Sequence, residues 1–227
     1  AESPVNLGSS SQDLRMKLAK PKTQRKAVGY NADFLKSYVP NKSALLRTQD
    51  RALLQKIGTK IGGPLPAGTY ARKMLDQLLI DLSWNSSRLE GNTYSRLDTE
   101  KLIKEGRESS TGSSQDTQMV LNHKAAIEFM VKGAQDLKFD RTTLFSIHAL
   151  LSNNLLDNQE AGGRLRTIGV NIGQSVYIPL DNPHLIEEYF DLFLRKAQKI
   201  ADPFEAAFFS LTHIPYLQPF EDVNKRV

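Results

Sequence analysis

Between residues 70 and 84, Met74, Leu75, Leu78, Leu79 and Leu82 recur with the 3.6-residue period of an α-helix, so one face of this segment must be buried. Helical spacing governs most of the remaining chain. It predicts helices over about 47–57, 97–105 and 141–151, with Asp140 placed to cap the last. Two more are expected over about 117–134, where Met119, Ala126 and Met130 share a face, and over 183–200, where Leu185, Tyr189, Phe193 and Ala197 form a stripe. Asp202, Pro203 and Glu205 read as the start of a further helix, with Asp202 as cap and Glu205 closing a capping box. Pro215 lacks a backbone donor and is expected to end or kink it. Strand-like alternation occurs once. Residues 166–179 interleave β-branched and aromatic side chains with glycines, which predicts a β-hairpin. The fold class is therefore mainly α, with one small hairpin.

The chain divides into three parts. Residues 1–28 are polar, with serines at 9–11 and a Lys/Arg-rich run ending at Lys26, and read as a flexible basic arm. Residues 29–69, broken by Pro40, Pro64 and Pro66, read as a helical extension. Residues 70–227 form the main domain.

Composition excludes several function classes. No window approaches the ~18 consecutive apolar residues of a membrane span. The N-terminus lacks the apolar core of a signal peptide. There is no cysteine, which removes disulfides, a thiolate nucleophile and a cysteine metal site, and fits a cytoplasmic location. The net charge of +5 is mild, and its charges read as solvated helix faces in preference to a nucleic-acid footprint. The four histidines are not spaced as a metal site, and no Walker-type loop occurs, so a nucleotide site has to come from the C-terminal loop.

That loop spans 218–226. Asp222 is a hard oxygen ligand of the kind Mg²⁺ prefers. Asn224 offers amide donors, Lys225 and Arg226 supply positive charge, and a helix beginning near Asn224 would aim free N–H groups at an anion. The same residues also read as a polar loop with a solvated basic pair. The loop alone leaves both open.

Order and spacing narrow the choice. Pro219, Phe220, Asp222, Asn224 and Arg226 match the signature His-Pro-Phe-x-Asp/Glu-Gly-Asn-Gly-Arg, and the segment resembles that of Fic-domain (Fic/DOC) proteins. Upstream, Ser86, Glu90 and Gly91 match the inhibitory helix motif found in one class of that family. Gly163 to Arg166 and the stretch after Val170 resemble its target-docking flap.

The resemblance covers about 70–227 and implies a helical domain that binds ATP and Mg²⁺ and transfers AMP to a hydroxyl of a target protein. Carried over residue by residue, Asp222 would hold Mg²⁺. Asn224 and Arg226 would hold phosphate, Arg226 also meeting the developing charge, and Phe220 would anchor the loop from below; Lys225, which replaces the second glycine, could add an ammonium near phosphate. Val170, Ile172 and Tyr177 would lie on the flap that aligns an extended target segment. Glu90 would restrain a second arginine three residues after Arg226, which is expected beyond Val227 together with the rest of the final helix.

The departures are as informative as the matches. Gln218 stands where the family has the histidine that removes the target proton. A carboxamide cannot take a proton, and a lost general base costs about 10²–10⁴-fold in rate. AMP transfer is therefore expected to be weak, altered or absent, and the alternative is an inactive module that engages a partner through its flap. Val223 replaces the first glycine, and because Val resists positive φ the loop is expected to take another path there. His213 could supply a base or be a helix histidine with its own partner. Trp84 reads as a core aromatic.

Overall fold

Short polar side chains mark where the helices begin. The computed structural model describes residues 9–58, 69, 74–173 and 175–227. Its α-helices among those residues are α1 (Ser9–Ala19), α2 (Asp33–Lys36), α3 (Thr48–Gly58), α4 (Leu75–Leu89), α5 (Arg96–Glu105), α6 (Ser114–Lys132), α7 (Arg141–Ser152), α8 (Pro183–Ala197) and α9 (Pro203–Leu217). Ser95, Ser113, Asp140, Asn182 and Asp202 each accept a hydrogen bond from a free N–H of the first turn. Ser113 and Asp116 form a reciprocal capping box.

The helices form two packed groups. In the larger, α7, α8 and α9 enclose Leu144, Ile147, Tyr189, Phe190, Phe193, Phe209 and Ile214, and Phe220 and Val223 of the terminal loop join the same core. Leu35 and Tyr38, within and just after α2, are buried there too, with Tyr30, Ala32 and Leu45 packed against them, so the 30–45 segment completes this core. The smaller group packs α4 and α6 through Leu79, Ile127 and Val131, with α5 adding Leu102 against Val120. Helix α6 serves both, because Ala126 faces one core and Ile127 the other.

Four local expectations change. Helix α1 forms within the 1–28 arm, and its described side chains are all exposed, so no core dictates it. Helix α4 runs beyond Trp84 to Leu89, while 70–73 lie outside the described residues. Pro215 does not end α9: the helix continues to Leu217, and the amide of Gln218 still donates to Ile214 O. The bond that proline forfeits lies on the outer face, where Leu211 is exposed. Glu205 does not close a capping box. It is buried, and its carboxylate instead accepts from Leu45 N (2.6 Å), Leu46 N (3.0 Å) and the Tyr38 hydroxyl (3.0 Å). It thereby fastens the 38–46 loop to α9.

The predicted hairpin is a further correction. Among the described residues, the 166–179 stretch contributes one strand, β2 (Tyr177–Ile178), which pairs in parallel with β1 (Val28–Gly29). Arg166 organises the stretch differently: its buried guanidinium donates to the carbonyls of Ile168 (2.7 Å), Leu180 and Gln218 (2.6 Å), which ties both ends of the stretch to the terminal loop.

Candidate functional site

Helix α4 ends in a Schellman turn: Gly91 N donates to Arg88 O (3.0 Å) and Asn92 N to Ser87 O (3.1 Å). Gly91 sits at φ +91°, a left-handed conformation that the turn demands and that glycine adopts without strain. The turn fixes Glu90 as the C-cap of α4. Asn92 then ties this corner to α6 by donating to Asp116 O (2.8 Å) and accepting from Tyr94 N (2.8 Å). Ser86 sits one turn earlier. Its hydroxyl donates to His123 Nε2 (2.9 Å), since His123 Nδ1 faces the Met119 carbonyl (2.8 Å) and must carry the ring proton. Burial holds the His123 pKa below its ordinary value, with the nearby Arg226 charge acting in the same direction. Trp84, half-buried, donates its indole N–H to Tyr94 O (3.1 Å).

The terminal loop is stitched from within. Asn224 is buried: its Oδ1 accepts from Phe220 N (2.9 Å), and its Nδ2 donates to Phe220 O (2.9 Å) and Gln218 Oε1 (3.0 Å). Gln218 Nε2 donates to Pro215 O (2.7 Å). The carboxamide that replaces the expected base is therefore a clasp between the end of α9 and Asn224. Asn224 in turn spends its side chain on loop shape, leaving the backbone and Lys225 as the groups turned outward.

Two residues of this loop are left-handed, Gln218 at φ +52° and Val223 at φ +64°. The expected detour at Val223 does not occur. The valine keeps a glycine-like conformation, at a cost of about 1–3 kcal/mol. Its side chain is buried in the main core, which offsets that cost through apolar burial.

Beneath the loop, Phe220 is fully buried and stacks on the His148 ring, with centroids 4.0 Å apart and planes at 11°. His148 Nδ1 accepts from Gly163 N (2.8 Å), so Nε2 carries the proton and donates to Asp222 O (3.2 Å). Burial pushes its pKa down to about 4, which keeps the ring neutral. Gly163, at φ +72°, lies so close to α7 that a Cβ would stand 3.0 Å from Phe145 O. Arg166 N donates to Pro219 O (2.9 Å), which completes the bond between the flap base and the loop.

These elements enclose a cavity of about 180 Å³ lined by Glu90, residues 170–173, Gln218 and residues 221–225. The loop, the end of the α4 motif and the flap residues Val170 and Ile172 thus meet at one place. Two expected participants, and His213, stand elsewhere. Tyr177 stacks on Tyr216 (centroids 5.1 Å apart) and donates its hydroxyl to Tyr216 O. Arg226 faces two other cavities, one beside Ser86 and His123 and one beside Ser210. Its side chain is 7% exposed, Nη2 lies 4.0 Å from Asp222 Oδ2, and Nε and Nη1 have no partner. His213 lies between Phe34 and Phe209 (centroids 4.4 and 4.2 Å away), with Nε2 unpartnered and its pKa pushed down to about 4 by burial first and the Lys196 charge second. It has no place in the loop cavity.

Asp222 suits a cation. Its side chain is 71% exposed, and only Oδ1 has a close donor, Val223 N at 2.6 Å. Among the described residues no group of three or more His, Cys, Asp or Glu side chains could hold a metal by itself. A single carboxylate is the donor set of a Mg²⁺ that completes its shell with phosphates and water.

The family comparison bears on this geometry, since its matched segment runs from α7 through the flap to the loop. Residues 138–227 match the model of the Fic/DOC family. That segment of the chain thus resembles a Fic-type domain. A solved Fic family protein from Desulfovibrio desulfuricans G20 shares its fold with a TM-score of 0.64 at 22% identity, covering 83% of this chain and 57% of that one. Fic-1 (residues 134–508) from C. elegans aligns with a TM-score of 0.58 at 19% identity, covering 78% and 52%. The chain thus spans little more than half the length of these solved Fic structures. No curated protein matches it.

Sequence reasoning missed His148 and Arg166, which hold the loop without belonging to it. Arg166 carried a signal in its place beside the flap glycine, whereas nothing in the spacing of His148 pointed to the loop 74 residues later.

Proposed function

We propose that this protein binds ATP with Mg²⁺ at the 218–226 loop and that its transfer of AMP to target-protein hydroxyls is weak, altered or absent. The observation that carries the reading is the shared cavity, on which the loop, Glu90 and the flap residues 170–173 converge from three separate parts of the chain. Asp222 is the residue that would hold Mg²⁺, which when bound neutralises phosphate charge. Lys225 and the outward backbone of the loop would meet phosphate oxygens, with Asn224 holding that backbone in shape. Glu90, which lines the same cavity, would limit how a triphosphate lies. Arg226 would enter only if its guanidinium turned from the interior toward Asp222.

The second reading is a catalytically inactive binding or regulatory module whose flap engages a partner. The clasp favours it specifically, because both ends of the Gln218 carboxamide are already hydrogen-bonded and no histidine lines the cavity among the described residues. Labelled-ATP transfer to lysate proteins separates the two. Wild type is expected to transfer little, and Gln218→His with Glu90→Gly to transfer at least 100-fold more. Robust wild-type transfer that survives Gln218→Ala contradicts the base argument.

A further inference from the structure

The flap edge already has an occupant. The backbone of Val176–Ile178 is where an extended segment would add as a strand, and β1 lies along it: Val28 pairs with Tyr177, Gly29 with Ile178, and Val28 N donates to Val176 O (3.1 Å). We propose that residues 27–29 are a displaceable strap on this edge, and that an extended target segment gains the edge by exchanging with them. The docking role rests on the flap reading given above.

Two observations set the strap apart from a permanent strand. Its ladder is two residues long, and Val28 and Gly29 are both exposed, so no apolar side chain of β1 anchors it. The residue that follows is held firmly. The Tyr30 ring packs on Tyr189 and Tyr216, and Asn31 N donates to the Tyr216 hydroxyl (2.8 Å). Tyr216 also stacks on Tyr177 of the flap, two residues before Gln218. A fixed pivot at Tyr30 therefore holds a weakly bound strand next to its edge, which gives the strap a high effective concentration and keeps it exchangeable. A second cavity, lined by Lys22, Arg25 and Ala27 on one side and by Ile172, Val176 and Ile178 on the other, gives an incoming chain room beside it.

Because the chain has no cysteine, the exchange can be tested in one protein. Gly29→Cys with Ile178→Cys places a thiol pair across the ladder at exposed positions, and a Cβ at Gly29 meets nothing within 4 Å. The probe is a fluorescent peptide of residues 22–29, followed by anisotropy. The reduced pair is expected to bind it at least tenfold more tightly than the oxidised pair, and Val28→Pro, which removes the donor to Val176 O, at least fivefold more tightly than wild type. Equal binding by the oxidised and reduced forms, or no gain in Val28→Pro, overturns the strap. Nucleotide heat measured on the same proteins is independent: its absence beside the expected peptide result removes the ATP reading and leaves the strap standing.

Discussion

At the scale of single residues, the loop is defined by side chains that serve its shape. Gln218 is the clearest example, being left-handed, buried and bonded at both ends of its carboxamide. Gln218→Ala should lower stability by about 1–2 kcal/mol, read as a fall in melting temperature, because Pro215 O and part of Asn224 lose their partner. An unchanged melting temperature would mean that the carboxamide is not a structural clasp. His213 offers a separate test. Its folded pKa is depressed to about 4, against an ordinary value near 6.5 for the unfolded chain. Between those values the unfolded state binds a proton that the folded state refuses, so its contribution is complete above about pH 6.5 and is lost as pH falls toward 4. His213→Phe should fill the same aromatic nest between Phe34 and Phe209, leave stability at pH 7 equal or higher, and reduce the acid loss by about 2 kcal/mol. Denaturant titrations at pH 7 and pH 4.5 check the sign.

At the scale of elements, the helices were legible and the connections between distant segments were not. Caps at Asp140 and Asp202 and the stripe on α8 follow from local chemistry, which a single pass along the chain can read. The strand β2 was legible as extended chain but not as half of a parallel pair, because its partner lies 149 positions earlier with a sequence of only Val28 and Gly29 to mark it. Glu205 shows the same limit. Its spacing from Asp202 suited a capping box, yet two unpaired amides at Leu45 and Leu46 and the Tyr38 hydroxyl claimed its carboxylate. Glu205→Ala would leave those part-buried amides and the buried Tyr38 hydroxyl without an acceptor and should cost about 2 kcal/mol, with hydrogen exchange at Leu45 and Leu46 rising at least tenfold. Slow exchange in the variant would show that another acceptor holds them. At Val223 backbone strain alone favours a detour, but the burial of its side chain in the main core, which local sequence does not encode, offsets that strain.

At the scale of the whole molecule, the candidate site was legible in its motifs and misjudged in its orientations. The resemblance carried by Ser86–Gly91, the flap and the terminal loop implied that they would converge, and Glu90, Val170, Ile172 and Asp222 line one cavity. Side-chain direction depends on packing that no spacing encodes, and so Asn224 turns into the loop, Arg226 faces away from the cavity and Tyr177 closes on Tyr216. What remains at the cavity is the carboxylates of Glu90, Glu221 and Asp222, a lysine and the loop backbone, with no histidine among the described lining residues. That arrangement favours binding over turnover. Calorimetry with ATP and Mg²⁺ tests it most directly: wild type should give a saturable heat that Asp222→Ala abolishes and Gln218→His leaves in place, whereas no heat at millimolar nucleotide, or heat undiminished in Asp222→Ala, would contradict it.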